Sequence, residues 1–289
     1  MKVALNVDLN LKKLSINDEK WFSKLTYHVG ISDLSFPLLY AYRNFLNIEC
    51  MRLDEKTALL VQDDAYGKRC YTILGDVNES IIRELTALGI NEFSYVIAAQ
   101  LPIFNSIKGM KWDIKYDIDF SDYVYDLDKF LILSKKARKE YNYYKNHHQP
   151  KLVEINNNNW EDSYKVVKLW SKFHQKTHVF GDEVKAYGEI KKLIGHPKVK
   201  GSILYDQGVP VSVKVVEERG EMLVNHFMKT SISARGLAKF FYHNFHWQFQ
   251  GKIKWVNLGE DMGLSGLRQF KQRMHPVFLL HKYTVKLIS

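Results

Sequence analysis

Residues 255–285 limit what this chain can fold into more than any other stretch. They read WVNLGEDMGLSGLRQFKQRMHPVFLLHKYTV. Trp255 and Val256 form a short apolar strand that runs into the polar turn Asn257-Leu258-Gly259-Glu260-Asp261. Gly263 opens a basic helix bearing Arg268, Lys271 and Arg273, with Leu267, Phe270 and Met274 as its apolar stripe at helical spacing. His275-Pro276 stops that helix, and a final strand is expected from Val277 to Val285. A strand, an acidic glycine turn, a basic helix and a strand bring carboxylates and cations together at one end of a sheet. Such an order belongs to layered α/β structure.

The remainder of the chain agrees with a layered fold. Residues 1–125 mix helices and strands. An amphipathic helix is expected over Asp18–Thr26, with Trp21, Phe22 and Leu25 on one face, and an apolar, aromatic helix over Pro37–Phe45. Thr57–Gln62 and Cys70–Leu74 read as paired strands. Asp76-Val77-Asn78-Glu79 has capping-box spacing ahead of a helix with Ile81, Ile82, Leu85 and Leu88 inward. Phe93–Ala99 is a buried strand. Tyr123–His148 reads as a basic connector, and Gln149-Pro150 with the asparagine run 156–159 as the domain boundary. Two domains are therefore expected, 1–150 and 151–289.

In the second half, Val166, Trp170 and Phe173 line one face of a helix, and another helix covers Glu183–Ile194. Asp206-Gln207-Gly208 joins two hairpin strands. Glu221–Lys229 is a third strand, and an amphipathic helix runs from Leu237 to about Gln250.

Bulk properties bound the class. The 289 residues are 46% hydrophobic and 26% charged, a globular composition. No run of ~18 apolar residues marks a transmembrane helix. The start, MKVALNVDLNLKKLS, lacks the apolar core and cleavage site of a signal peptide. Cys50 and Cys70 form no disulfide framework and are expected as thiols in a cytoplasmic protein. The net charge of +10 favours polyanionic partners. No Cys/His cluster has metal spacing, so no metal is expected. Gly-x-Gly-x-x-Gly, P-loop and Gly-x-Ser-x-Gly motifs are missing, which leaves dehydrogenase, nucleotidase and serine-hydrolase readings without support.

Asn257, Asp261, Gly263, Gly266, Leu267, Arg268, Lys271, His275 and Pro276 keep fixed gaps. This pattern resembles the C-terminal catalytic region of phosphatidylglycerol lysyltransferases and their soluble relatives, the DUF2156 type. The resemblance implies two tandem GNAT-like acyltransferase domains, with mixed sheets flanked by helices, in an α/β (α+β) fold. It implies an enzyme that moves an aminoacyl group from aminoacyl-tRNA, as co-substrate, to an amine or hydroxyl of a small molecule, peptide or lipid head group. Membrane contact would be peripheral at most. In the resembled family the connector ends in Arg-Asn; here Asn142 fits and Tyr141 replaces the arginine.

Acyl transfer requires a held donor, a polarised carbonyl and a proton acceptor. Glu260 and Asp261, with Asn257 from the shared motif, are the catalytic candidates. A turn carboxylate also serves as a helix cap. For the donor, Gly236 and Arg235 precede a helix N-terminus, which offers free N–H groups to phosphate. Arg268 and Lys271 lie three apart on one helix face, where they suit a phosphate or pair with the turn carboxylates. His226 is a weaker donor-side candidate, and His243 and His246 are placed on a polar helix face. Lys135, Lys136, Arg138, Lys139 and Lys145, interleaved with tyrosines, suit a nucleic-acid backbone or a plain solvated face. Ser233 stands where CoA-using GNAT enzymes carry Arg or Gln, which counts against acyl-CoA as donor. A CoA-dependent N-acyltransferase and a non-catalytic RNA-binding module remain the alternatives.

Overall fold

The computed structural model describes residues 9–26, 29–64, 67–173 and 183–288, and every element named below belongs to these residues. The chain divides into two compact units, Met1–Ser121 with His281–Ser289, and Asp122–Leu280.

The first unit holds β1 (Lys12–Lys13), α1 (Glu19–Thr26), α2 (Phe36–Tyr42), β2 (Glu49–Arg52), β3 (Thr57–Asp63), β4 (Arg69–Gly75), α3 (Glu79–Ala87), β5 (Glu92–Val96), α4 (Leu101–Ser106) and β6 (Trp112–Tyr116). Strands β1 to β4 form one antiparallel sheet in chain order. The cap of α3 is Asn78, whose side chain accepts the Ile81 N–H at 3.0 Å, and not the expected box starting at Asp76. Asn78 has the extended backbone that places its oxygen over the first turn. Ile82, Leu85, Phe93, Phe104 and Val285 share the core of this unit with Leu59 and Val61 of β3.

The second unit contains β7 (Asp122–Asp126), α5 (Leu127–Leu131), α6 (Lys135–His147), β8 (Pro150–Glu154), α7 (Trp160–Phe173), α8 (Glu183–Ile190), β9 (Val199–Asp206), β10 (Val209–Arg219), β11 (Met222–Thr230), α9 (Leu237–Trp247), β12 (Trp255–Asn257), α10 (Ser265–Gln272) and β13 (Phe278–Leu280). Its sheet has seven strands in the order β13-β7-β12-β11-β10-β9-β8. Only β11 and β12 run parallel in it; every other neighbouring pair is antiparallel. The β9–β10 hairpin turns at Gln207 and Gly208, both with positive φ, which matches the twist of its strands. Helix α9 closes one face with Leu237, Phe241 and Phe245, packed with Tyr123, Tyr125, Leu223 and Val256 of the sheet.

Four local expectations change. The basic connector is part of the sheet as well as a link: it begins with β7, because Tyr123 and Tyr125 belong to the α9 core while Val124 pairs with Asn257. The compact units accordingly divide at Ser121 and Leu280, whereas Gln149-Pro150 enters β8 inside the second unit. The expected last strand is two. β13 pairs with β7, the chain breaks at His281-Lys282, and β14 (Tyr283–Leu287) becomes the middle strand between β5 and β6. Phe173 is 74% exposed, since Val166 and Val167 form the buried side of α7.

Candidate functional site

The site begins where two parallel strands part. Met222, Leu223 and Val224 of β11 register with Trp255, Val256 and Asn257 of β12. β12 then ends, while β11 continues to Thr230 with β10 as its partner. Alternate N–H groups of Asn225–Thr230 therefore point away from β10, toward the side that β12 has left.

Asn257 turns the chain at that point. Its Oδ1 accepts the Gly259 N–H at 2.6 Å, and its Nδ2 donates to Asp122 Oδ2 at 2.8 Å. Gly259, Met262 and Gly263 all have positive φ, so the turn coils back sharply before α10. Asp261 is buried at the centre of the coil. Tyr123 Oη donates to its Oδ2 at 2.6 Å and the Gly263 N–H to its Oδ1 at 2.9 Å. Arg268 adds a two-pronged pair, Nε to Oδ2 and Nη2 to Oδ1, both 2.8 Å. Burial alone would raise the Asp261 pKa, but the bonds from Arg268, Tyr123 and Gly263 outweigh it and hold the carboxyl below its usual range. The Tyr123 phenol is pushed up to about 12, by burial first and then by its bond to the carboxylate.

Lys271 secures the other side of the turn. Its Nζ donates to the Leu258 and Gly259 carbonyls at 2.8 Å each and to the Glu260 carbonyl. Three donors meet three acceptors, which satisfies an ammonium that is nearly buried. Tyr125 Oη in turn donates to the Lys271 carbonyl at 2.9 Å. Arg268 thus grips the turn through the Asp261 carboxylate, as its spacing allowed, while Lys271 grips it through backbone carbonyls.

The remaining expected residues are spread more widely. Glu260 is half-buried in the same turn. His226 lies two residues beyond the last β11–β12 pair, its Nε2 3.5 Å from Glu217 Oε2. Gly236 caps α9 with φ +83°, and a Cβ there would meet the Glu140 carbonyl oxygen at 2.0 Å. Its role is to let α9 start against α6. Exposed Arg235 lies over the Tyr143 ring of α6, 4.5 Å from its centroid. Lys135, Lys136, Arg138, Lys139 and Lys145 are exposed on α6. An open concavity of about 300 Å³ is lined by Lys135, Arg138, Lys139 and Asn142. Tyr141, in the arginine's place, stacks on Phe240 at 5.3 Å. His246 is not on a polar face: it is fully buried, with Nδ1 2.6 Å from the Tyr242 carbonyl oxygen, and burial drives its pKa well down.

Three residues carry weight that sequence reading missed. Asp122 and Tyr123 act on Asn257 and Asp261 across a separation of more than 130 residues, and no local pattern announces such a pairing. Lys214 of β10 is fully buried beneath α9, its Nζ 4.3 Å from the Tyr242 ring centroid. Burial, then the nearby Lys271 charge, hold its pKa far below the ordinary 10.5. A single lysine inside the run Val211-Ser212-Val213-Lys214-Val215-Val216 was the available signal.

A parallel pair that parts within a mixed sheet, after a hairpin, is the arrangement of a GNAT-like fold, and the whole chain has the tandem acetyltransferase fold. It is similar to a conserved protein of unknown function from Bacteroides thetaiotaomicron VPI-5482, at 19% identity over 96% of this chain and 99% of that one, with a TM-score of 0.85. It is also similar to the DUF2156 C-terminal domain of a putative lysylphosphatidylglycerol synthetase from Agrobacterium fabrum, at 14% identity, 94% and 92% coverage and a TM-score of 0.67. A tandem GNAT protein from the clavulanic acid biosynthesis pathway aligns at 10% identity, 95% and 97% coverage and a TM-score of 0.51. No curated protein matches the sequence. Residues 84–286 match the family model described as phosphatidylglycerol lysyltransferase, C-terminal. The chain belongs to that family. No helix among the described residues is long and apolar enough to cross a membrane.

Proposed function

We propose that the chain transfers an aminoacyl group from an aminoacyl-tRNA to an amine or hydroxyl acceptor. The observation that carries this reading is the parting of β11 from β12 beside a turn held rigid from both sides. An ester carbonyl entering the gap would meet backbone N–H groups of β11, fixed before reaction and able to stabilise the developing oxyanion. The acceptor atom attacks that carbonyl, the ester C–O bond breaks, and the acceptor's proton passes to the departing ribose oxygen. Family membership and the cationic balance of the chain support a tRNA donor.

Within this reading the turn residues divide their work. Asn257, Asp261, Arg268 and Lys271 hold the turn together and tie it to Asp122 and Tyr123 of β7, and act as positioning residues. A carboxylate that accepts four hydrogen bonds and is held ionised is a poor base. Glu260, half-buried in the same turn, is the residue assigned to proton handling.

The test uses the purified chain with bulk tRNA charged with labelled amino acids, and in parallel with labelled acetyl-CoA. Phosphatidylglycerol, short peptides and small amines serve as acceptors. Label moving from tRNA to an acceptor supports the reading, and movement from acetyl-CoA alone rejects it in favour of a CoA enzyme. Glu260→Gln is expected to lower the turnover number at least tenfold in protein that still melts cooperatively. If Glu260→Gln turns over at the normal rate, the proton-handling role is lost.

A further inference from the structure

We infer that Lys229 of β11 selects the aminoacyl group, admitting those with an uncharged side chain and turning away cationic ones such as lysyl and arginyl. The inference rests on the transferase reading of the site and adds its substrate class.

An acyl group whose carbonyl lies at the free edge of β11 has to extend to one face of the sheet. The α9 face is closed, because Leu223 and Val256 pack there with Leu237, Phe241 and Phe245. The other face belongs to α7 and α8. Side chains alternate along a strand, so Phe227 and Lys229 share that face. The Phe227 ring meets Tyr187 of α8 at 5.3 Å. Lys229 reaches both helices: its Nζ is ion-paired with Glu183 of α8 and stands 3.9 Å from the centroid of the Trp170 ring of α7. Lys229 lies about 7 Å along the strand from Phe227, within reach of an aminoacyl side chain anchored at the N–H groups of this segment.

A carboxylate beside an aromatic face is a receptor for an ammonium group. Here the chain's own lysine occupies it. The pair is nearly closed, with 14% of the Lys229 side chain and 10% of the Glu183 side chain exposed. Burial lowers the Lys229 pKa, and the Glu183 charge opposes that fall. Glu217, nearer the last β11–β12 pair, is engaged in the same way: its Oε2 lies 3.5 Å from His226 Nε2 and 3.9 Å from Arg219 Nε. A lysyl or arginyl group brought here meets a like charge with little water to screen it, and finds Glu183 and Glu217 already facing cations of the chain. An alanyl or other neutral group meets no such repulsion. A pair that served only to tie α8 to β11 would change stability and not this discrimination.

The experiment is competition filter binding of the full chain with one tRNA whose terminal ribose carries an amine in place of the acylated hydroxyl. That tRNA is charged, through a stable amide, with alanine or with lysine. Wild type is expected to bind the alanyl form roughly tenfold more tightly than the lysyl form at low salt. Lys229→Arg keeps the charge and should keep the preference. Lys229→Met leaves Glu183 and Trp170 to a foreign ammonium, and should bring the lysyl form level with the alanyl form or above it. Should that variant melt below the assay temperature, Lys229→Met with Glu183→Gln takes its place and is expected to bind both forms equally. Equal affinities in wild type, or a preference that Lys229→Met and its double variant retain, overturn the inference. So does a lower melting temperature as the sole effect of Lys229→Met, which would make the pair structural. The transferase reading fails separately: discrimination between the two amides, with no label moved from ester-charged tRNA to any acceptor, rejects that reading and upholds the preference.

Discussion

At the scale of single residues, two buried ionisable groups in the second unit have opposite consequences. Lys214 has no hydrogen-bond partner for its Nζ and is shielded by Tyr242 and Phe245. Its native pKa lies well below 10.5, so the unfolded chain binds a proton that the native state does not. The resulting cost is nil above pH 10.5 and grows as the pH falls from there. Lys214→Met should raise stability by about 1–3 kcal/mol at neutral pH. The gain, read by urea melts at several pH values, should shrink toward pH 10. Asp261 behaves in the reverse sense. Its pKa is depressed below 3.8, so its contribution is present above that value and is lost as the pH drops through the native pKa. Asp261→Ala leaves Arg268 without its two acceptors. The expected loss is about 3 kcal/mol, the low end for a broken buried pair, because Arg268 is 32% exposed. Urea melts of this variant that match wild type would show that the turn does not need its carboxylate. The sequence made Asp261 legible as a turn carboxylate but not its role, since the partner Tyr123 is 138 positions away.

At the scale of elements, the seating of α9 on α6 is the contact that most depends on one residue. Gly236 is both left-handed and pressed on the Glu140 carbonyl. Gly236→Ala therefore has to bear a positive φ, worth about 1–2 kcal/mol, and a steric overlap that only a shift of α9 relieves. A fall of several degrees in melting temperature is the expected outcome; an unchanged melt would mean the helices can slide apart without cost. Periodicity identified α9 correctly, because Leu237, Phe241 and Phe245 recur on one face. It misplaced His246, since a helix end wrapped by Phe130, Tyr242 and Phe245 buries polar and apolar residues alike. Capping shows the same limit: Asp76 and Asn78 are both capable caps, and backbone geometry selected Asn78.

At the scale of the molecule, the chain leaves its first unit at Ser121 and returns to it at His281. The returning segment is β14, flanked by β5 and β6 on its two sides. Truncation after Leu280 removes the middle of that sheet. Hydrogen exchange should then show loss of protection in β5 and β6, while β10 and β11 of the second unit keep theirs. Loss of protection throughout the chain would mean that the two units unfold together.

By itself the sequence determined the alternation of helices and strands, the β9–β10 hairpin, and the turn from Asn257 to Lys271. Each is encoded by residues close together in the chain: a 3.6 or 2 period, a Gln-Gly pair with positive φ, glycines at fixed gaps. Only the tertiary structure decided that β7 belongs beside β12, that residues 277–285 split between two sheets, and that Tyr123 and Asp122 complete the turn. Those outcomes rest on hydrogen bonds between strands far apart in sequence, where any apolar segment of suitable length is a possible partner and packing of the whole unit makes the choice.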